Sequence, residues 1–167
     1  VSDSLDRLWS PWRSEYIESF ASEGGGGCVF CDALASSDDD ARYVVWRGKT
    51  CFAILNRFPY NAGHILIVPN RHLPSLEDLT TEEDAEVMAS AKRMMRLLTE
   101  TMHPQGFNFG ANVGRVSGAG IADHVHFHVV PRWNGDTNFM PVVGGTKVIS
   151  EELAATYRKL KEAVVKK

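Results

Sequence analysis

The segment His124-Val125-His126-Phe127-His128, followed by Val129-Val130-Pro131-Arg132, constrains this chain more than any other. Strict alternation of imidazole and apolar side chains is a strand pattern, because successive side chains in a strand point to opposite faces. Val125, Phe127 and Val129 are therefore expected on the core face, with all three imidazoles together on the other. A single histidine here would read as a satisfied core residue. Three in register are costly to bury and need no apolar spacers at the surface, so a site is the better account. Such a row suits a three-ligand metal centre or phosphate chemistry with a nucleophilic ring nitrogen and flanking donors.

The rest of the chain supplies the frame. Its 167 residues fit one domain with a short appendage. In residues 1–23, Leu5, Leu8, Trp9, Trp12, Tyr16 and Phe20 recur at helical spacing around Pro11, as an aromatic segment packing on the main domain. A glycine tether, 24–27, joins it to a domain spanning 28–167. Short strands are predicted around Val44–Trp46, Cys51–Leu55 and Ile65–Val68, then a helix capped by Thr80 and Glu83 with Val87, Ala91, Met94, Leu98 and Met102 on one face. Strands around Phe107–Val113 and His124–Val130 follow. A last helix from Ser150 carries Leu153, Tyr157, Leu160 and Val164. Strands joined by short turns favour antiparallel pairing, hence an α+β sheet with helices on one side. Cys51 reads as core.

Charge narrows the partners. Lys and Arg total 18 against 21 Asp and Glu, a net charge of −3, which argues against broad binding to nucleic acid or to an anionic membrane. No apolar run approaches the ~20 residues of a membrane span, and Val1-Ser2-Asp3-Ser4 does not open a signal peptide. Cys28-Val29-Phe30-Cys31 fits a reducing, cytoplasmic setting. Two thiolates at that spacing supply half of a tetrahedral zinc site, which His72 and one member of the histidine row would complete. A redox dithiol is the rival, without a thioredoxin-like context, and two buried apolar cysteines are the bland alternative.

The histidine row with its apolar spacers resembles the histidine triad family of nucleotide hydrolases and transferases. Asn56-x-x-Pro59-x-x-x-Gly63-His64-x-Leu66-Ile67-Val68-Pro69 is similar to that family's second signature. The outer stretches Leu8-Trp9-Ser10-Pro11-Trp12-Arg13 and Pro131-Arg132-Trp133-Asn134-Gly135-Asp136-Thr137-Asn138-Phe139 resemble its bacterial diadenosine tetraphosphate phosphorylase-like branch. The resemblance implies an α+β half-barrel protomer, with a long helix and a C-terminal helix, that pairs into a homodimer. It implies His126 as nucleophile on the α-phosphate, forming a nucleotidyl-imidazole. His64 and His128 would lie beside the phosphates with Asn112, and Asn56 would hold the nucleoside sugar. It also implies structural zinc on Cys28, Cys31, His72 and His124, with no catalytic metal required at the phosphate.

One stretch departs from the family pattern. Where many members carry Gly-Gln-Ser or Gly-Gln-Thr, this chain reads Gly118-Ala119-Gly120-Ile121-Ala122-Asp123. Backbone N–H groups around Gly118 and Gly120, or Ser117, would have to replace the missing donors. The expected activity is cleavage of an adenine dinucleoside polyphosphate with inorganic phosphate as acceptor. Hydrolysis of the same substrate or of a nucleoside phosphoramidate, and nucleotide binding without catalysis, are the alternatives. Trp133-Asn134-Gly135-Asp136 is expected either to shape the pocket or simply to turn the chain.

Overall fold

The computed structural model describes residues 27–137 and 148–165. The aromatic segment 1–23, most of the tether, and Asn138 and Phe139 lie outside the described residues. Among the described residues five strands form one antiparallel sheet: β1 (Val44–Arg47), β2 (Cys51–Leu55), β3 (Ile65–Pro69), β4 (Gly106–Ala111) and β5 (Phe127–Arg132), in the order β1-β2-β3-β5-β4. Four α-helices among the described residues accompany them: α1 (Val29–Ala35), α2 (Asp39–Arg42), α3 (Thr81–Met102) and α4 (Leu153–Val165).

The central strands are buried on both faces, which is why they read as unbroken apolar runs. Cys51, Ala53 and Leu55 of β2 join Ile65 and Ile67 of β3 on one face, packed under α3 and α4 through Val87, Ala91, Met94, Leu98, Tyr157 and Leu160. Phe52, Ile54, Leu66 and Val68 point the other way, toward Phe30 and Ala33 of α1. Cys51 is fully buried, as expected, and burial pushes its thiol up to about 11. The two long helices share one face. The single-sided layer expected from sequence is nevertheless incomplete, because α1 caps the opposite face, the one that carries the histidines. Seven residues are too few to show helical periodicity, so α1 has no apolar stripe for a sequence to reveal.

The long helix starts where its capping box requires. Thr80 Oγ1 accepts the Glu83 N–H at 3.3 Å, and the Glu83 carboxylate accepts the Thr80 N–H at 2.8 Å. Arg71 also grips Glu83, at 2.7 Å from Nε, and holds that carboxyl down at about 2. The chain carrying His72 is thereby tied to the start of α3. The last helix begins at Leu153, three residues later than expected from Ser150. At the other end of α3 the chain returns past Gly63, whose φ is +75°. A Cβ there would sit 2.8 Å from Met102 Sδ and 3.0 Å from Leu98 Cδ2, so a side chain has neither the conformation nor the room.

Arg47 anchors α1 from β1. Its guanidinium donates to the carbonyls of Leu34 (3.1 Å), Ala33 (2.8 Å) and Ser36 (2.9 Å) at the helix C-terminus, and to Asp39 Oδ1 at 2.8 Å. A cation belongs at that end of a helix, where carbonyls lack partners. Arg47→Met is expected to cost about 1.5–3 kcal/mol, the scale for charged hydrogen bonds. The shift of the urea midpoint between the two proteins measures it.

Candidate active site

Three segments meet on the face that α1 covers: the loop Asn56–His64 between β2 and β3, the run His124–His128 entering β5, and α1 itself. The register pairs Leu66 with His128 and Ile65 with Val129, so His128 faces α1's side and Val129 faces the main core. Regular pairing of β5 begins only at Phe127, later than the strand expected from His124. Upstream, the Val125 N–H donates to the Leu73 carbonyl at 2.6 Å instead of to a strand. The alternation survives this loss: Val125 and Val129 are buried and Phe127 is half-buried against the core. His124 and His126 are themselves buried, at 0% and 5% exposure, so the histidine face is an interior wall.

Backbone partners set the state of each ring. His126 Nδ1 lies 2.9 Å from the His124 carbonyl oxygen. A carbonyl only accepts, so Nδ1 carries the proton and Nε2 keeps its lone pair. His64 is arranged in the reverse sense. Its Nδ1 accepts the Tyr60 N–H at 3.0 Å, with Asn56 Nδ2 a further 3.3 Å neighbour, so the proton sits on Nε2. That Nε2–H donates to His128 Nδ1 at 2.9 Å, which leaves the proton of neutral His128 on Nε2. The His126 and His128 rings are 5.1 Å apart. Desolvation pushes the pKa of His126 and of His124 below the ordinary histidine value, so both stay neutral near pH 7.

Beside the row lies a second cluster. The ligand atoms of Cys28, Cys31, His72 and His124 all fall within 4.8 Å of one another. His124 Nδ1 is 3.2 Å from Cys28 Sγ and 3.7 Å from Cys31 Sγ, and His72 Nδ1 is 3.4 Å from Cys31 Sγ. Tetrahedral zinc with two sulfurs and two nitrogens spaces its ligands at roughly 3.3–3.8 Å, so the donor set fits. Burial and the adjacent Cys28 push the Cys31 thiol up, and a cation among the four atoms reverses that sign. His124 also has the outer support of a ligand: its Nε2–H donates to the Pro69 carbonyl at 2.9 Å and frees Nδ1 for the cluster.

Among the other residues singled out from sequence, Asn56 turns its side chain inward, toward His64 and the Phe58 N–H (3.0 Å). Asn112 follows Ala111, which stands opposite Phe127, and is half-buried at the end of β4. Gly118 ends a short 3-10 turn, Arg115–Ser117, and its N–H donates to the Arg115 carbonyl at 3.1 Å. Ser117 Oγ donates within the same turn, to the Gly114 carbonyl at 2.7 Å. Gly120 is half-buried two residues further on.

Sequence reasoning overlooked Phe30; Tyr60 is a second ring against the row. The Phe30 ring packs at 5.0 Å from His126 and 5.4 Å from His124. Tyr60 lies at 5.6 Å from His128, nearly parallel, and at 4.7 Å from His64. Phe30 sits between the two cysteines of Cys28-x-x-Cys31, so any reading that brings the cysteines to the histidine row brings Phe30 with them.

Fold and site define a class: a small antiparallel α+β protein with a buried histidine row beside a two-cysteine, two-histidine cluster. The chain belongs to the histidine triad family, whose HIT domain matches residues 39–135. It is 42% identical over 164 residues to a Mycobacterium tuberculosis protein named AP-4-A phosphorylase, covering 95% of this chain and 84% of that one. Over 89 residues, 53% of this chain and 59% of the other, it is 36% identical to the bis(5'-adenosyl)-triphosphatase of Dictyostelium discoideum. A zinc-bound histidine triad family protein from Mycobacterium smegmatis superposes with a TM-score of 0.68 at 27% identity, over 84% of this chain and 94% of that one.

The depressed histidines fix the sign of an acid response. The unfolded chain takes protons near 6.5, whereas folded His124 and His126 refuse them until lower pH. Their contribution is complete above that value and is lost as pH falls below it, by at most about 1.4 kcal/mol per pH unit per histidine. Urea midpoints between pH 7.5 and 5.0 should fall accordingly, and His126→Phe should flatten the decline.

Proposed function

We propose that the chain is a nucleotidyl transferase that cleaves dinucleoside polyphosphates such as diadenosine tetraphosphate, with inorganic phosphate as acceptor. The observation that carries this reading is the His126 ring, neutral by burial and held at Nδ1 by a backbone carbonyl, with a bare Nε2. The likeness to a protein named AP-4-A phosphorylase over 95% of the chain supports the substrate.

In the first step the Nε2 lone pair bonds to the α-phosphorus, and the bond from phosphorus to the bridging oxygen breaks. ATP leaves, its new terminal oxygen carrying the negative charge, which the His128 Nε2–H stabilises as a hydrogen-bond donor. His64 and His128, with Asn112 and the backbone around Gly118 and Gly120, are assigned to the phosphates, and Asn56 to the sugar. The donors at Gly118 and Ser117 are spent within their own turn, so they must reorient to reach a phosphate. In the second step a phosphate oxygen bonds to the same phosphorus, the P–N bond breaks, and ADP departs. Water in place of phosphate would release AMP, the course that the name of the Dictyostelium relative fits.

Cys28, Cys31, His72 and His124 are assigned to structural zinc. The bound ion would supply charge that keeps both thiols deprotonated and clamps the start of α1 to His124. We also assign the protein to the cytoplasm and to a homodimer. β4, one of the two end strands of the described sheet, presents Phe109 at 38% exposure as a surface for a second copy. No helix among the described residues is long and apolar enough to cross a membrane.

Diadenosine tetraphosphate incubated with and without phosphate, with products separated by chromatography, tests the reaction. ADP and ATP are expected only with phosphate, and His126→Ala should lower the rate by at least roughly 10³-fold. AMP and ATP formed without phosphate would make the chain a hydrolase. Chelation tests the metal: zinc should be released stoichiometrically, with a lowered melting temperature and loss of α1 amide protection. Intact stability after complete metal removal would overturn the structural assignment.

A further inference from the structure

Asp136 lies in the turn after β5 and gathers five hydrogen bonds. Its Oδ2 accepts from Arg132 Nε (2.7 Å), the Trp133 N–H (3.0 Å) and Asn61 Nδ2 (2.8 Å). Its Oδ1 accepts from Arg132 Nη2 (2.8 Å) and Thr137 Oγ1 (3.3 Å). The side chain is 8% exposed, and the Arg132 guanidinium holds the carboxyl well below the usual carboxylate range. Arg132 in turn reaches Asn108 Oδ1 on β4 at 2.8 Å, and Trp133 Nε1 donates to the Met102 carbonyl at 3.3 Å. The carboxylate is thus a fixed post, tied to two strands and to the end of α3.

Four of the five donors come from the carboxylate's own neighbourhood in sequence. Asn61 does not: it belongs to the loop between β2 and β3, 75 residues away. The same Nδ2 also lies 3.2 Å from the Pro131 carbonyl, so β5 and the turn after it each hold this side chain. Asn61 is well placed to pass that restraint on. Its carbonyl accepts the His64 N–H at 3.2 Å, and its Oδ1 accepts the Ala62 N–H at 3.1 Å. Its neighbour Tyr60 supplies the N–H that keeps His64 Nδ1 unprotonated. If the loop shifts, that N–H leaves, only the longer Asn56 Nδ2 contact at 3.3 Å still faces His64 Nδ1, and the direction of the His64-to-His128 hydrogen bond is less firmly imposed.

We propose that Asp136, acting through Asn61, is a positioning residue that sets the tautomers of the His64–His128 pair. Its value for turnover rests on the assignment of that pair to the phosphates. With the relay in place, His128 presents an N–H donor toward the row. Without it, His64 and His128 exchange tautomers and the donor becomes an acceptor for part of the time. A bare lone pair facing a phosphoryl oxygen is repulsive, so the cost falls on the reacting complex. The turn Trp133-Asn134-Gly135-Asp136 then does more than reverse the chain: it braces the histidines from behind.

The test uses the full chain, free of ligand, with nitrogen-15 NMR of the imidazoles. Wild type should show His64 Nδ1 unprotonated and Nε2 protonated. Asn61→Ala removes the link, and Asn61→Asp sets a second carboxylate against Asp136; in both, the two His64 nitrogens should move toward averaged shifts. With diadenosine tetraphosphate and phosphate, kcat should fall about 10- to 100-fold while KM changes less than about 3-fold. Gln105→Ala is the control, since Gln105 Oε1 holds the Asn134 N–H of the same turn at 2.6 Å without touching Asn61. It should keep the wild-type imidazole pattern. Unchanged His64 shifts in both Asn61 variants, whatever their melting temperatures, would reduce Asp136 to a fold staple and overturn the proposal. Altered shifts in a protein whose wild type transfers no nucleotide would keep the positioning role and discard the assigned reaction.

Discussion

The hydrogen bond from His126 Nδ1–H to the His124 carbonyl, 2.9 Å long, is the interaction on which the rest of the site depends. It joins two functions in one dipeptide step. The backbone of His124 orients the His126 ring, while its side chain points Nδ1 at two cysteine sulfurs and Nε2–H at the Pro69 carbonyl. A movement of His124 that spoiled the four-donor cluster would also move the oxygen that fixes His126. Phe30 extends the coupling, because its ring touches both imidazoles from a helix that starts at Cys28 and is pinned at its far end by Arg47.

Identical side chains acquire different chemistry from their backbone neighbours. His126 and His64 are both buried, yet one meets a carbonyl at Nδ1 and the other an amide N–H. The first becomes a base with a free Nε2, and the second becomes a donor through Nε2. Composition says nothing of this distinction. It arises because the His126 ring reaches back to the carbonyl two residues before it, whereas His64 ends a tight loop whose Tyr60 amide meets its ring.

Much of the architecture was legible because it repeats. The alternation through His128, the apolar runs of β2 and β3 and the Thr80–Glu83 capping box each encode a local geometry, and each appears where the pattern places it. Cys28, Cys31, His72 and His124 do assemble, although 96 residues separate the first from the last. What escaped was non-periodic. Helix α1 is too short to show a stripe, and Tyr60 contributes a backbone amide, which no side-chain pattern records. Asn61 and Asp136 meet only because β3 and β5 are neighbours. The boundary of β5 was also misplaced: His124 and His126 keep the alternation, but the Val125 N–H between them goes to the Leu73 carbonyl and the His124 carbonyl to the His126 ring rather than to a ladder.

Gly63 carries a consequence for how the loop between β2 and β3 can diversify. Met102 and Leu98 occupy the space where its side chain would stand, and its backbone lies where other residues are strained. Variation in the loop is therefore confined to its outer half, where Phe58 and Tyr60 are exposed. The inner half is closed to change by a helix on the far side of the sheet. A lineage or a designer can rewrite the rim of this loop, but position 63 is kept for glycine.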